Sequence, residues 1–217
     1  MNHRLILTAL LIGSANASVL YDESVSGQLN TGVVSDDYTQ LLSPSELGDL
    51  SEGDNSVFGT INFGDVNASD FFQFTVPKGH QLLHFFIDHM SYAFDSNGSE
   101  RFQLHFLSMD AGDSLSYVQS ENTSLFATLI EAAEVEIALG EVGSYDALAV
   151  YQSGGLYGAG LTTPLSAGSY NVLFQETSGT AIDYEFRFVT AKVPEPSTAL
   201  LVVLGVFSFA AQRSRAK

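Results

Sequence analysis

A chain of 217 residues, 45% of them hydrophobic, suffices for one domain with a sizeable buried core. The absence of cysteine excludes a disulfide framework, a zinc–cysteine site and a thiol nucleophile. A formal net charge of −17 argues against binding to nucleic acid and to anionic membranes.

The charge is unevenly distributed. Arg4, Arg213, Arg215 and Lys217 lie in the terminal segments, and only Lys78, Arg101, Arg187 and Lys192 are basic between Ser18 and Lys192. That span carries 24 acidic against 4 basic residues, a net of −20. The plain reading is a solvated acidic surface that keeps an exported domain soluble; the sharper one is divalent-cation binding. Sixteen Phe, nineteen Gly and no Trp point to an aromatic-rich β protein with many turns.

Taken in chain order, MNHRLILTALLIGSANAS has the form of a secretory leader. Arg4 supplies a positive start, Leu5–Ile12 a short apolar run, and Ala15-Asn16-Ala17 a small-x-small site, with signal-peptidase cleavage predicted after Ala17. Export without cysteine is ordinary for a bacterium, so the sequons at Asn67, Asn97 and Asn122 read as chance triplets in Ser-rich stretches. Residues 18–55 form a polar segment with short strand signals at Ser18–Tyr21 and Gly32–Val34, closing on the acidic turn GDLSEGDN, Gly48–Asn55.

Residues 56–192 carry the domain. DFFQFTV, Asp70–Val76, alternates with Phe72, Phe74 and Val76 on one face, and Pro77-Lys78-Gly79 breaks it with a turn. HQLLHFFIDHM, His80–Met90, would turn Leu83, Phe85 and Ile87 inward. RFQLHFL, Arg101–Leu107, groups Phe102, Leu104 and Phe106. SLFATLIEAAEVEIAL, Ser124–Leu139, fits one helix or two strands: Ala and Glu favour a helix near Leu125–Ala133, while the EVEIAL end alternates like a strand. SGGLYGAG, Ser153–Gly160, is a loop. SYNVLFQET, Ser169–Thr177, and DYEFRFVTA, Asp183–Ala191, have the period-2 pattern of a hairpin, with Tyr170, Val172 and Phe174 sharing a face with Tyr184, Phe186 and Phe188. Short alternating strands separated by glycine turns predict a mainly β fold, a two-sheet antiparallel β-sandwich of jelly-roll or related type, flanked by an N-terminal signal helix and a C-terminal hydrophobic helix.

Residues 193–217 end the chain. The apolar run Ala199–Ala211 is shorter than the ~20 residues that cross a bilayer as a helix, and Arg213, Arg215 and Lys217 follow as a positive stop. A span this short suits a temporary anchor awaiting removal. Val193-Pro194-Glu195-Pro196-Ser197, the Leu-rich stretch with Gly205 and the basic end with Arg213 and Arg215 resemble the PEP-CTERM sorting signal. This resemblance implies an exported protein of a Gram-negative bacterium, processed by an exosortase-type membrane enzyme and delivered to the cell surface or extracellular matrix, in association with exopolysaccharide and biofilm. The basic residues here are spaced R-S-R-A-K, where the family has an adjacent Arg pair. Pro194 and Pro196 hold the motif extended, a form that a processing enzyme can grip. Asp65–Ile87, LSAGSYNVLFQE (Leu165–Glu176) and the closing YEFRFV are also similar to bacterial pre-peptidase C-terminal domains, small β-sandwiches attached to secreted enzymes. That likeness implies a binding accessory rather than a catalyst.

Chemistry-bearing residues are sparse. His80, His84, His89 and His105 are the histidines of the exported part, and His84 and His105 would meet, with Asp88 nearby, only if their strands pair. An H-x-x-x-H on a strand spans ~13 Å, too far for one ion. No G-x-S-x-G elbow occurs and no carboxylate pair stands out, so the reading is non-enzymatic, with a secreted hydrolase as the rival and a calcium- or carbohydrate-binding module as a further one. For calcium the oxygen-rich clusters are Asp49, Glu52, Asp54 and Asn55 in one turn and Asp65, Asn67 and Asp70 in another. Ordinary acidic turns account for both equally well.

Overall fold

The computed structural model describes residues 17–29, 43–61, 69–90, 104–112, 124–131, 145–155, 158–176 and 181–193. The leader up to Asn16, the Gly32–Val34 signal, Asp65, Asn67, the EVEIAL stretch and the tail from Pro194 lie outside them. Ten strands and two single-turn helices are described: β1 Ser18–Asp22, α1 Glu23–Ser26, β2 Ser45–Asp49, β3 Gly53–Ile61, β4 Ser69–Val76, β5 His80–Met90, β6 Leu104–Ala111, β7 Phe126–Glu131, β8 Tyr145–Asp146, α2 Ala147–Val150, β9 Gly168–Glu176 and β10 Ile182–Lys192. No helix among the described residues is long and apolar enough to cross a membrane.

The strands form two five-stranded sheets, β1-β3-β10-β5-β8 and β2-β4-β9-β6-β7. The expected antiparallel pairing holds throughout except at two edges: β1 runs parallel to β3 and β2 parallel to β4. Both sheets are therefore mixed, and both parallel strands come from the polar segment before Ser56. Their inner faces meet in a β-sandwich-like core of Val57, Phe72, Phe74, Phe85, Leu107, Val172, Phe174, Phe186, Phe188 and neighbours. Rings from the two sheets touch directly, Phe74 to Phe188 at 4.4 Å and Phe174 to Phe186 edge-on at 5.1 Å. Each such pair adds roughly 0.5–1.5 kcal/mol to the burial of its area.

Four expectations are corrected. First, β9 and β10 do not form a hairpin. β9 lies between β4 and β6, and β10 between β3 and β5, so the two strands sit in different sheets and face each other across the core. Period-2 alternation identifies the inward side chains and leaves the partner open.

Second, Leu83 is not a core residue; Leu82 is. The β5–β10 register skips Leu83 between His84–Val189 and Leu82–Thr190, and skips Asp88 between His89–Glu185 and Ile87–Phe186. Each extra residue reverses the parity of the strand beyond it. Leu82, Phe85, Ile87 and Met90 are thereby all buried.

Third, Phe106 faces away from the main core. Leu107 and Met109 fill the inner face of β6, while Phe106 packs with Phe71, Ala127 and Leu173 on the outer face of the second sheet. Fourth, Phe126–Glu131 is a strand antiparallel to β6, not a helix. Phe126 and Ile130 enter the main core and Ala127 the outer cluster, and burial on both faces outweighs the weak helical preference of Ala and Glu.

The outer faces of the two sheets differ. On the second sheet, the apolar cluster lies beside buried Gln73, Asn171, Ser108 and Asp110. The Gln73 and Asn171 amides meet at 3.0 Å, and Asn171 donates to the carbonyl of Gly112 at 2.7 Å. The first sheet presents half-buried and exposed polar side chains, so its outer face is the open one.

The two ends of the sandwich differ as well. Ser18 pairs with Asn55, Thr190 with Gly53 and Lys192 with His80, and Val193 donates to the carbonyl of Gly79 at 2.8 Å. The start of β1, the β2–β3 turn, the β4–β5 turn and the end of β10 thus share one end. Asn55, fully buried, ties that end together: its Oδ1 accepts from the Ser51 amide at 2.8 Å, and its Nδ2 donates to the carbonyls of Ser51, Gly53 and Phe188. The other end carries α1, the start of β4 and the start of β10.

Candidate functional site

Two constellations lie on the open face of the first sheet. The first is built by adjacent strands and one distant turn. His84 and Phe86 alternate outward on β5, and their rings stack at 5.0 Å. Arg187 projects from β10 beside them, with its guanidinium 4.4 Å from the Phe86 centroid, a cation–π contact. Its Nε and Nη2 grip the two oxygens of Asp88 in a bidentate pair, and Nη1 reaches Asp54 at 3.4 Å. The bonds to Asp88, and then the charge of Asp54, raise the Arg187 pKa further. Asp146 caps α2, accepting the Leu148 amide at 3.2 Å and the Phe85 amide at 3.3 Å on Oδ1, while its Oδ2 meets His84 Nδ1 at 2.7 Å. The carboxylate thus fixes one imidazole nitrogen of a ring that is 45% exposed.

The second constellation is a groove of about 380 Å³ at the α1 end, lined by Asp22, Glu23, Phe58, His89, Asp183 and Glu185 among others. Asp22 caps α1, taking the Ser24 amide at 2.9 Å and its hydroxyl at 2.6 Å. The Glu23 carboxylate accepts the amides of Leu29 and Thr60, each at 2.6 Å, which fastens the turn after α1 to β3. Thr60 donates its hydroxyl to Asp183 at 2.8 Å. The Tyr184 ring lies against Gly59, where a Cβ would overlap it, which accounts for glycine at this position of β3.

Beneath that groove the Tyr184 hydroxyl donates to Asp70 Oδ2 at 2.8 Å. Asp70 is buried between the sheets. Desolvation first, and the charge of Glu23 second, push its carboxyl up to about 8, against the opposing pull of the Tyr184 hydrogen bond. Burial, with Asp70 next, drives the Tyr184 hydroxyl well above its ordinary value. Burial thus favours the neutral acid form of Asp70.

The described residues considered for calcium fall at opposite ends of the sandwich. Asp49 ends β2 and Glu52 pairs with Lys192 at 2.9 Å; Asp54 pairs with Arg187. Asp70 lies at the opposite end of the sandwich, inward on β4, and Asp65 falls outside the described residues. Among the described residues no group of three or more His, Asp and Glu side chains could hold a metal ion. His84 and His105 stand in different sheets and do not pair. The partner that His84 does have, Asp146, went unread in the sequence, although Asp before Ala147-Leu148 is a helix N-cap signal. The Asp70–Tyr184 pair joins residues 114 positions apart and had no local signal. No protein-family model matches the chain, and no curated protein matches it.

Proposed function

We propose that this is an exported, non-enzymatic cell-surface or extracellular-matrix protein, sorted through its C-terminal signal and associated with exopolysaccharide. The observation that carries this reading is the sequence of the tail: VPEPS, a short apolar run and a basic end, beginning one residue after the last strand. The signal peptide ending at Ala17 supports export, since Ser18 immediately opens β1. An exosortase-type enzyme and signal peptidase are the processing partners.

We assign the sandwich to the jelly-roll type in preference to the pre-peptidase C-terminal type. Support comes from the strand orders β3-β10-β5-β8 and β4-β9-β6-β7, eight strands of two interleaved Greek keys, with β1 and β2 added at the edges. The non-enzymatic reading is supported by the structural employment of the polar groups. Asp146 caps a helix, Arg187 neutralises Asp88 and Asp54, and Asp70 serves the core.

Mass spectrometry of the mature protein tests the sorting: loss of the residues after the VPEPS motif is expected, and a surface form still ending in Lys217 refutes it. Replacing Pro194, Glu195 and Pro196 with Ala should trap precursor in the membrane. The His84–Asp146 pair is the one observation favouring a hydrolase. Reproducible turnover of a polysaccharide or ester substrate, abolished by His84→Ala, would establish that alternative.

A further inference from the structure

The formal charges that the described residues place at the Ser18 end are Asp49, Glu52, Asp54, Lys78 and Lys192, three acidic and two basic, with Asp54 paired to Arg187. The opposite end carries the carboxylates of Asp22, Glu23, Asp183 and Glu185 around its groove, with His89 among them. Among the described residues, the Ser18 end is therefore the less acidic of the two, and it bears Lys78 and Lys192.

The same end holds both junctions of the predicted processing. Ser18, the first residue after the predicted leader, pairs with Asn55 there, and Val193, the first residue of the sorting motif, is hydrogen-bonded to Gly79 there. From Val193 the apolar run is reached at Ala199. Six residues span at most ~20 Å even when fully extended. The headgroup layer occupies roughly 5–8 Å of that. The Ser18 end of a tethered precursor is thus held within about 15 Å of the membrane surface, less than two Debye lengths at physiological ionic strength. The eleven residues of β10 place the groove end ~35 Å farther out, beyond the reach of surface charge.

We propose that the end formed by the β2–β3 turn, the β4–β5 turn and the close of β10 is a membrane-facing contact surface, with Lys78 and Lys192 meeting anionic lipid headgroups. The inference rests on the reading of the tail as a membrane-held sorting signal. Lys78 is exposed on its turn, and the Lys192–Glu52 pair is an exposed one that exchanges readily for a lipid phosphate. The groove end lies outside the reach of surface charge in this orientation and would bring its carboxylates into repulsion only if the domain tipped over. The precursor stands upright on the membrane, with its groove facing outward.

The chain has no cysteine, so one label can be placed at will. Ala167→Cys marks the Ser18 end, next to the start of β9, and Ser26→Cys the groove end; both positions are exposed. The full chain carrying a fluorophore at either position is reconstituted into phosphatidylglycerol-containing vesicles doped with a headgroup quencher, and into phosphatidylcholine vesicles with the same quencher. The expected result is several-fold stronger quenching at position 167 than at 26 in the anionic vesicles. That contrast should shrink in phosphatidylcholine, at high salt, and when Lys78→Glu and Lys192→Glu are combined. Flotation of the chain with vesicles but equal quenching at both positions, or a contrast that survives the double charge reversal unchanged, overturns the contact surface alone. Failure of the full chain to float with vesicles of either kind overturns it together with the reading of the tail.

Discussion

Replacing Asp70 with Asn should raise stability, by an amount that grows with pH. The buried carboxyl titrates at about 8 in the folded state, against 3.8 without burial. Between those values the folded chain holds a proton that the unfolded chain releases. Stability from this group is therefore fully present below pH 3.8 and is lost as pH rises towards 8. The slope approaches 1.4 kcal/mol per pH unit, so about 4 kcal/mol is gone by pH 7 and about 5 by pH 8. Against a total of roughly 5–15 kcal/mol for a domain, that is a large fraction. Asn keeps an oxygen to accept the Tyr184 hydroxyl and never ionises, so the variant escapes the slope. Urea unfolding of both proteins at intervals from pH 4 to 8.5 gives the measurement. The curves should nearly meet at pH 4 and diverge steadily above pH 5, with the variant the more stable. Parallel curves across that range would show that Asp70 is ionised in the folded protein at neutral pH, and the account of the buried pair would fail.

Three further perturbations test the packing. Gly59→Ala puts a methyl into the Tyr184 ring and should cost about 1–3 kcal/mol, seen as a lower Tm. Leu82→Ala should cost about 2–5 kcal/mol and Leu83→Ala much less, which discriminates the bulged register of β5 from uninterrupted alternation in one pair of unfolding curves. Asp146→Ala removes the cap of α2 and should cost about 0.5–2 kcal/mol. In the same variant the imidazole of His84 loses its hydrogen bond, and its carbon-bound proton resonances should shift.

The inward residues of β4, β9 and β10 were legible because each strand alternates without interruption and turns one greasy face to the core. β5 was legible as a strand and misread at Leu83, because bulges depend on the register with β10 and leave no mark in β5 itself. β7 looked helical since Phe126–Ile130 is buried on both faces and so has no period at all. Tyr170–Phe174 and Tyr184–Phe188 were read as one shared face and are instead two facing layers, because hydrophobic pattern reports side and not pairing. The polar residues were harder still. Asp70 reads as one more acidic loop residue until β4 turns it inward beneath Tyr184, and His84 finds Asp146 only through the β5–β8 ladder. What each of these residues does depends on contacts across 61 or more positions of chain.

The place of β10 has a mechanical consequence. It is the last strand before the tail, and it lies in the interior of its sheet, bonded to β3 on one side and β5 on the other along almost its whole length. A pull on Lys192 along the strand axis loads both ladders in shear, so many hydrogen bonds must break together. A pull on Ser18 loads only β1, an edge strand with a single neighbour. The domain is attached to its tail through the strand best placed to bear tension.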